Sequence, residues 1–116
     1  MYDVGMVLQE QSYLVLVALL DGPAHGYGVI QQVEQISAGR VRLRAGTLYG
    51  ALDRLADEGL VERDREEVVD GRLRRYYRLT AAGIRTVAEE TDRRRSTAGI
   101  AARRLRAHAA PGGSVA

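Results

Sequence analysis

The stretch Arg44-Ala45-Gly46-Thr47-Leu48-Tyr49-Gly50-Ala51-Leu52-Asp53-Arg54-Leu55 divides into two faces at helical spacing. Leu48, Leu52 and Leu55 make one apolar face that belongs in a core. Thr47, Tyr49, Gly50 and Arg54 make the other, which carries hydrogen-bond donors and little bulk. A helix that reads base edges in a major groove needs this division. An ordinary amphipathic helix with a solvated outer face has the same pattern, so the neighbouring segments must decide. Gly46 and Gly50 leave backbone open, which would let a phosphate come close to the helix N-terminus.

On the N-terminal side, residues 9–20 predict a helix with Leu14, Val17, Ala18 and Leu20 on its stripe; Asp21-Gly22-Pro23 ends it. A second helix is predicted from Gly26 to Ser37 through Val29, Val33 and Ile36, closed by Ser37-Ala38-Gly39. Val41-Arg42-Leu43-Arg44 reads as a short strand or an extended link. The quoted helix then runs from Ala45 or Thr47 to Glu58, with Ala51 and Ala56 joining its buried stripe. Gly59 stands at a C-cap glycine position.

On the C-terminal side the period falls from 3.6 to 2. Leu60-Val61-Glu62-Arg63 starts a strand, Asp70-Gly71 is a strong hairpin turn, and Leu73 to Leu79 returns. Thr80 suits the N-cap of a last helix over residues 81–109. Three short helices, a hairpin and a long helix predict a mostly α fold with a β-hairpin: a winged helix-turn-helix over residues 9–80 plus a C-terminal dimerisation helix over 81–109. Residues 110–116 read as a disordered tail, and the first several residues as mobile.

Composition narrows function. The chain has 116 residues and no Cys, so disulfides, thiolate metal sites and Cys nucleophiles are excluded. Its longest apolar run, Leu14–Leu20, is far short of the roughly 20 residues of a membrane helix. The early Asp3 and Glu10, with no Arg or Lys, do not read as a signal peptide, and the expected location is the cytoplasm. All 17 basic residues are Arg. Genomic base composition is one cause. The planar fork of Arg also suits phosphate and guanine. Net charge is only +2, but residues 1–39 hold no Arg, whereas 40–78 hold ten against eight carboxylates, so a local basic patch is expected.

The hairpin tip, with Gly71, Arg72 and Arg74, suits a wing that places Arg in or beside a minor groove. Charges that block edge-to-edge aggregation would look similar. Arg72 and Arg74 share one strand face; Arg75 points the other way. His25 is expected to cap or fix the second helix, with Tyr27 packing by its ring. With His108 the only other His and no Cys, no metal site is expected. Asp57-Glu58 and Glu66-Glu67 are poor acid–base dyads because sequence neighbours point apart. No nucleophile elbow or phosphate-cradling loop is present, so neither a catalytic site nor a cofactor is expected.

The last helix carries a thin stripe of Ile84, Val87, Thr91, Ala98, Ala101 and Leu105, with Arg94 falling on it. Such a helix depends on a partner, so Ile84, Val87, Ala98, Ala101 and Leu105 are candidate dimerisation residues. Six Arg in 93–95, 103, 104 and 106, with no carboxylate after Asp92, make a solvated face or a contact to an acidic partner segment or anionic ligand.

His25-Gly26-Tyr27-Gly28, Gly46-Thr47-Leu48-Tyr49, Leu55 through Gly59-Leu60-Val61, Gly71-Arg72, Arg75-Tyr76-Tyr77 and Leu79-Thr80-Ala81-Ala82-Gly83 together resemble the PadR family of regulators, over residues 9–85. The resemblance implies a winged-helix homodimer on double-stranded DNA, mostly repressing transcription, with C-terminal helices in the dimer interface. With the helix face and the hairpin tip read as above, the candidate DNA-binding residues are Arg44, Thr47, Tyr49, Gly50, Arg54, Gly71, Arg72 and Arg74. Some members are released by small molecules, and a short chain would hold an effector at the dimer interface. Gly50 departs from the family's common Pro after GTLY. A winged helix that binds only protein, or a small enzyme, would be the alternatives; the first would show no salt-dependent DNA affinity.

Overall fold

The computed structural model describes residues 8–109. The order is α1 (Glu10–Ala18), β1 (Ala24–His25), α2 (Gly26–Ile36), α3 (Ala45–Asp57), β2 (Val61–Val69), β3 (Arg72–Leu79) and α4 (Ala81–Ala109). The expected layout of three helices, hairpin and long helix is what the chain forms. The expected tail and mobile N-terminus lie outside the described residues, apart from Leu8 and Gln9.

Strand β1 was not expected. Its two residues pair antiparallel with β3, Ala24 opposite Tyr77 and His25 opposite Tyr76, giving the sheet order β1-β3-β2. Nothing in so short a segment shows a period of 2, so only its pairing reveals it. The 41–44 segment is an extended link, not a strand: Leu43 is buried, and the Val41 N–H donates to Ser37 Oγ at 3.0 Å.

Helix ends follow local chemistry. Both α2 and α3 close in Schellman geometry. Gly39 N–H reaches Glu34 O and Ala38 N–H reaches Gln35 O; Leu60 N–H reaches Leu55 O and Gly59 N–H reaches Ala56 O. Gly59 takes the left-handed position with φ 78°, whereas in α2 the non-glycine Ala38 takes it at φ 54°. Helix α1 stops at Ala18, two residues before the expected end, because Leu19 and Leu20 donate to carbonyls three residues back.

The core joins Leu14, Val15 and Leu16 of α1, Val29 and Val33 of α2, Leu48, Leu52 and Leu55 of α3, and Val61, Tyr77 and Val87. Three expected stripe positions, Leu20, Ile36 and Ala56, are exposed. Helix α1 is buried almost all round at its centre, so its period does not mark one face. Tyr27 does not pack as expected; it is 64% exposed. Val87 corrects the dimerisation set: it is 3% exposed within a single chain and holds α4 onto the domain. Ile84, Ala98, Ala101 and Leu105 remain exposed. Beyond residue 94 the helix leaves the domain, and every residue to 109 except Gly99 is exposed.

Candidate nucleic-acid interface

The back of α3 is anchored by Leu48, Ala51, Leu52 and Leu55. Its outer side presents Arg44 at the N-cap, then Thr47, Tyr49 and Arg54, all exposed, with Gly50 half-buried. Among the described residues, neither Arg44 nor Arg54 forms a salt bridge, whereas Arg40 and Arg42 are paired with Glu10 and Glu34. Gly46 has nothing within 4 Å of a would-be Cβ, and Gly50 only the Arg54 guanidinium at 3.8 Å. Internal packing therefore does not require either glycine.

Tyr49 departs from a purely outward role. Its hydroxyl lies where a Cβ on Gly26 would sit, so the ring pins α3 against the start of α2 while remaining 41% exposed. The start of α2 is fixed by His25, as expected: its Nδ1 accepts the Gly28 N–H at 3.3 Å. Burial holds the His25 pKa below its usual value, and the nearby Arg74 charge adds to this against the opposing pull of Glu67.

Strands β2 and β3 form the wing. Asp70 and Gly71, at φ 53° and 77°, make the two-residue turn whose left-handed pair matches strand twist. A one-residue bulge lies between Arg63 and Glu66. Around it most charges are matched, Arg63 excepted among the described residues: Arg78 donates to Glu62 and Asp64, Arg65 pairs with Asp64, and Arg75 donates to Glu66. Tyr76 donates to Glu67 at 2.6 Å, which holds that carboxyl below its usual range. Arg72 and Arg74 form no salt bridge among the described residues. Arg74 is half-buried, stands opposite Glu67 in the ladder and bears on His25, so Arg72 is the freer of the two.

Where α4 crosses α1, a polar cluster appears that the sequence reading missed. Glu90, 2% exposed, accepts from Arg93 at 2.7 Å and Arg94 at 2.9 Å. Arg94 also donates to Leu8 O, and Tyr13 and Thr91 share a hydrogen bond of 2.7 Å. The one available signal was Arg94 standing on an otherwise apolar stripe.

No group of three or more His, Asp or Glu that could hold a metal occurs among the described residues, and no described helix is long and apolar enough to cross a membrane.

A winged helix-turn-helix with an open α3 face and a charged hairpin defines a class of transcriptional regulators. The family model described as the transcriptional regulator PadR-like family matches residues 15–89, and the chain belongs to that family. Its members are regulators, not enzymes. The chain is 42% identical over 85 residues to an uncharacterised 37.1 kDa protein in transposon Tn4556 of Streptomyces fradiae, covering 73% of this chain and 23% of that one. It is 40% identical over 70 residues to transcriptional regulator Rv3488 of Mycobacterium tuberculosis, covering 60% of this chain and 62% of that one. The match thus spans less than two thirds of either relative. Among solved structures, Bacillus subtilis PadR in complex with operator DNA shares the fold, with TM-score 0.62, 21% identity, and coverage of 70% of this chain and 46% of that one.

Proposed function

We propose that this regulator binds double-stranded DNA sequence-specifically as a homodimer and represses transcription by occupying its operator. The observation that carries this reading is the outer face of α3, whose Arg44 and Arg54 form no salt bridge among the described residues and whose glycines have no packing role there. A protein-only winged helix gives no reason for either feature. In this reading α3 lies in the major groove, Thr47, Tyr49 and Arg54 face base edges, and Arg44 and Gly50 lie near the backbone. Gly71, Arg72 and Arg74 bring the wing to the minor groove. The fold neighbour solved with operator DNA supports the same use of the fold.

Dimerisation through α4 is part of the proposal. Ile84, Ala98, Ala101 and Leu105 are exposed, with no cover among the described residues, and a two-fold axis would double each contact. A small molecule that controls the dimer would occupy the hollow beside Arg93, Arg94, Thr97, Ala98 and Ala101, which a partner helix would roof. Cytoplasmic action on DNA fits all of this.

Titration of the full chain on genomic DNA fragments, at several salt concentrations and followed by footprinting, tests the reading. The expected result is strongly salt-dependent binding, with two symmetric half-sites one or two turns apart at about 10 bp per turn. Absence of salt-dependent affinity would favour the protein-interaction module instead.

A further inference from the structure

Val68 and Leu73 are cross-strand partners at the end of the wing, one residue inside the Val69–Arg72 pair that closes the turn. They are 70% and 53% exposed, so two branched apolar side chains stand side by side at the far tip of the hairpin with none of the described residues over them. Single exposed apolar residues are common on protein surfaces. A facing apolar pair at the end of a projecting hairpin is not, since edge strands usually carry charges there.

The surrounding charges say what covers the pair. Lower in the wing, Arg65, Arg75 and Arg78 are each matched by carboxylates, while Arg63 and Arg74 have no salt bridge among the described residues. At the tip Arg72 forms no salt bridge among the described residues, and it stands on the opposite hairpin face from Leu73 by the alternation of the strand. The tip therefore offers an apolar side and an Arg72 side, with the Asp70 carboxylate at the turn between them. An apolar protein partner would leave Arg72 without an anion. A DNA minor groove supplies both surfaces: phosphates along its edge, and deoxyribose and base-edge carbon within it. Reach is sufficient as well. Five residue steps separate Tyr77, the last buried residue of β3, from Arg72, about 17 Å of strand against a groove about 7.5 Å deep.

We propose that Val68 and Leu73 form an apolar wedge that enters the minor groove beside the α3 site and bends the duplex, while Arg72 holds the adjoining phosphates. The proposal rests on the DNA-binding reading above and adds a shape-dependent element to it. Apolar side chains inserted at a base step widen the groove and bend DNA away from it. The wedge thus selects flexible pyrimidine–purine steps where the wing lands, at positions no hydrogen bond reads.

The test uses the full chain and a duplex that the wild-type protein selects from a random-sequence pool. The wedge variant is Val68→Ser with Leu73→Ser, the charge variant is Arg72→Ala, and bending is read by end-to-end fluorescence transfer. The wedge variant should bind roughly tenfold more weakly or worse. It should also lose most of the bend and keep the wild-type salt slope, because no phosphate contact is lost. Arg72→Ala should lower the slope and keep the bend. If the wedge variant keeps both affinity and bend while Arg72→Ala weakens binding, the wedge is wrong and the DNA reading stands. If the wedge variant changes only self-association in sedimentation, the pair covers a second copy and the wedge is again wrong. If wild type selects no duplex from the pool, both readings fall. Circular dichroism of each variant confirms that the exposed substitutions leave the fold intact.

Discussion

The Arg94 guanidinium lies 4.0 Å above the centre of the Tyr13 ring. Arg94 belongs to α4 and Tyr13 to α1, so this contact fixes the angle at which the long helix leaves the domain. Three further bonds converge there: Arg94 to Glu90, Arg94 to Leu8 O, and Tyr13 to Thr91. Arg94→Ala removes the stacked cation and two hydrogen bonds and leaves Glu90 with Arg93 alone. It should cost about 1–3 kcal/mol in urea unfolding. Tyr13→Phe keeps the stacked ring and loses one hydrogen bond, so it should cost about 0.5–1.5 kcal/mol. Equal losses in the two variants would mean that the cation is idle.

Glu90 and His25 both give stability a pH dependence, each beginning at its own unfolded value. Burial pushes the Glu90 carboxyl up, but the hydrogen bonds and charges of Arg93 and Arg94 outweigh it and leave its pKa below the usual 4.5. The folded state then binds that proton less readily than the unfolded chain does. The contribution of Glu90 is present above 4.5 and is lost as pH falls through its folded value. His25 is also lowered, from 6.5, by burial and Arg74. Its contribution is full above 6.5 and declines as pH falls below that, when protonation would also remove the Nδ1 acceptor for Gly28. Thermal melts across pH should show both declines. Glu90→Gln should flatten the lower one, and His25→Asn, which keeps a capping oxygen, the upper.

Glycines separate packing from access. A Cβ on Gly83 would run into the carbonyl oxygen of Leu60, a backbone atom that cannot swing away. Gly83→Ala should therefore destabilise by about 1–3 kcal/mol or more. Gly50 sits within α3 with room for a methyl group. Gly50→Ala should stabilise the fold by about 0.5–1 kcal/mol and still weaken DNA binding, because it fills the outer face. Chemical unfolding paired with DNA titration reads both effects. A Gly50→Ala protein that is more stable and binds as well as wild type would remove Gly50 from the interface.

Wing and recognition helix should fail differently. Arg72→Ala should weaken operator and random DNA alike and reduce the salt slope by about one unit. Thr47→Ala, on the anchored α3, should instead narrow the gap between operator and random DNA. Filter binding at several salt concentrations separates these outcomes, and identical behaviour of the two variants would erase the division of labour.

The elements that announce themselves in the sequence are those whose stability is local. Asp70-Gly71 encodes its turn through two left-handed residues, Gly59 its cap, and Leu48, Leu52 and Leu55 their buried face; each needs only neighbours within a few residues. What stayed illegible depends on distant partners. Strand β1 exists because Ala24 and His25 find Tyr77 and Tyr76, some fifty residues away. Glu90 reads as a surface carboxylate, yet it is buried where Arg93 and Arg94, the latter stacked on Tyr13 of α1, converge on it. Val87 lies on the same stripe as Leu105, yet the first faces the domain core and the second faces open solvent. Spacing gives a stripe, and the point where the helix leaves the domain decides which part of it needs a partner.

That point decides how the dimer should be tested. Cutting the chain after Gly83 would remove Val87 from the core and confound folding with assembly. The exposed outer segment can be changed without touching the domain: Ile100 and Leu105 are 39% and 66% exposed, and with Thr97, Ala101, Arg104 and His108 they line one apolar hollow. Ile100 joins the expected stripe there, one position from Ala101. Replacing Ile100 and Leu105 with Glu places two carboxylates per chain on a two-fold contact, where they face their own copies. Helix propensity is little changed by these substitutions, so α4 itself should persist. Sedimentation equilibrium should show a monomer, with the urea unfolding of the domain unchanged once protein concentration is taken into account. DNA affinity should fall by about 10²–10⁴, the gain from engaging two half-sites on one duplex. A variant that remains dimeric and binds as tightly as wild type would place the interface elsewhere than on the outer half of α4.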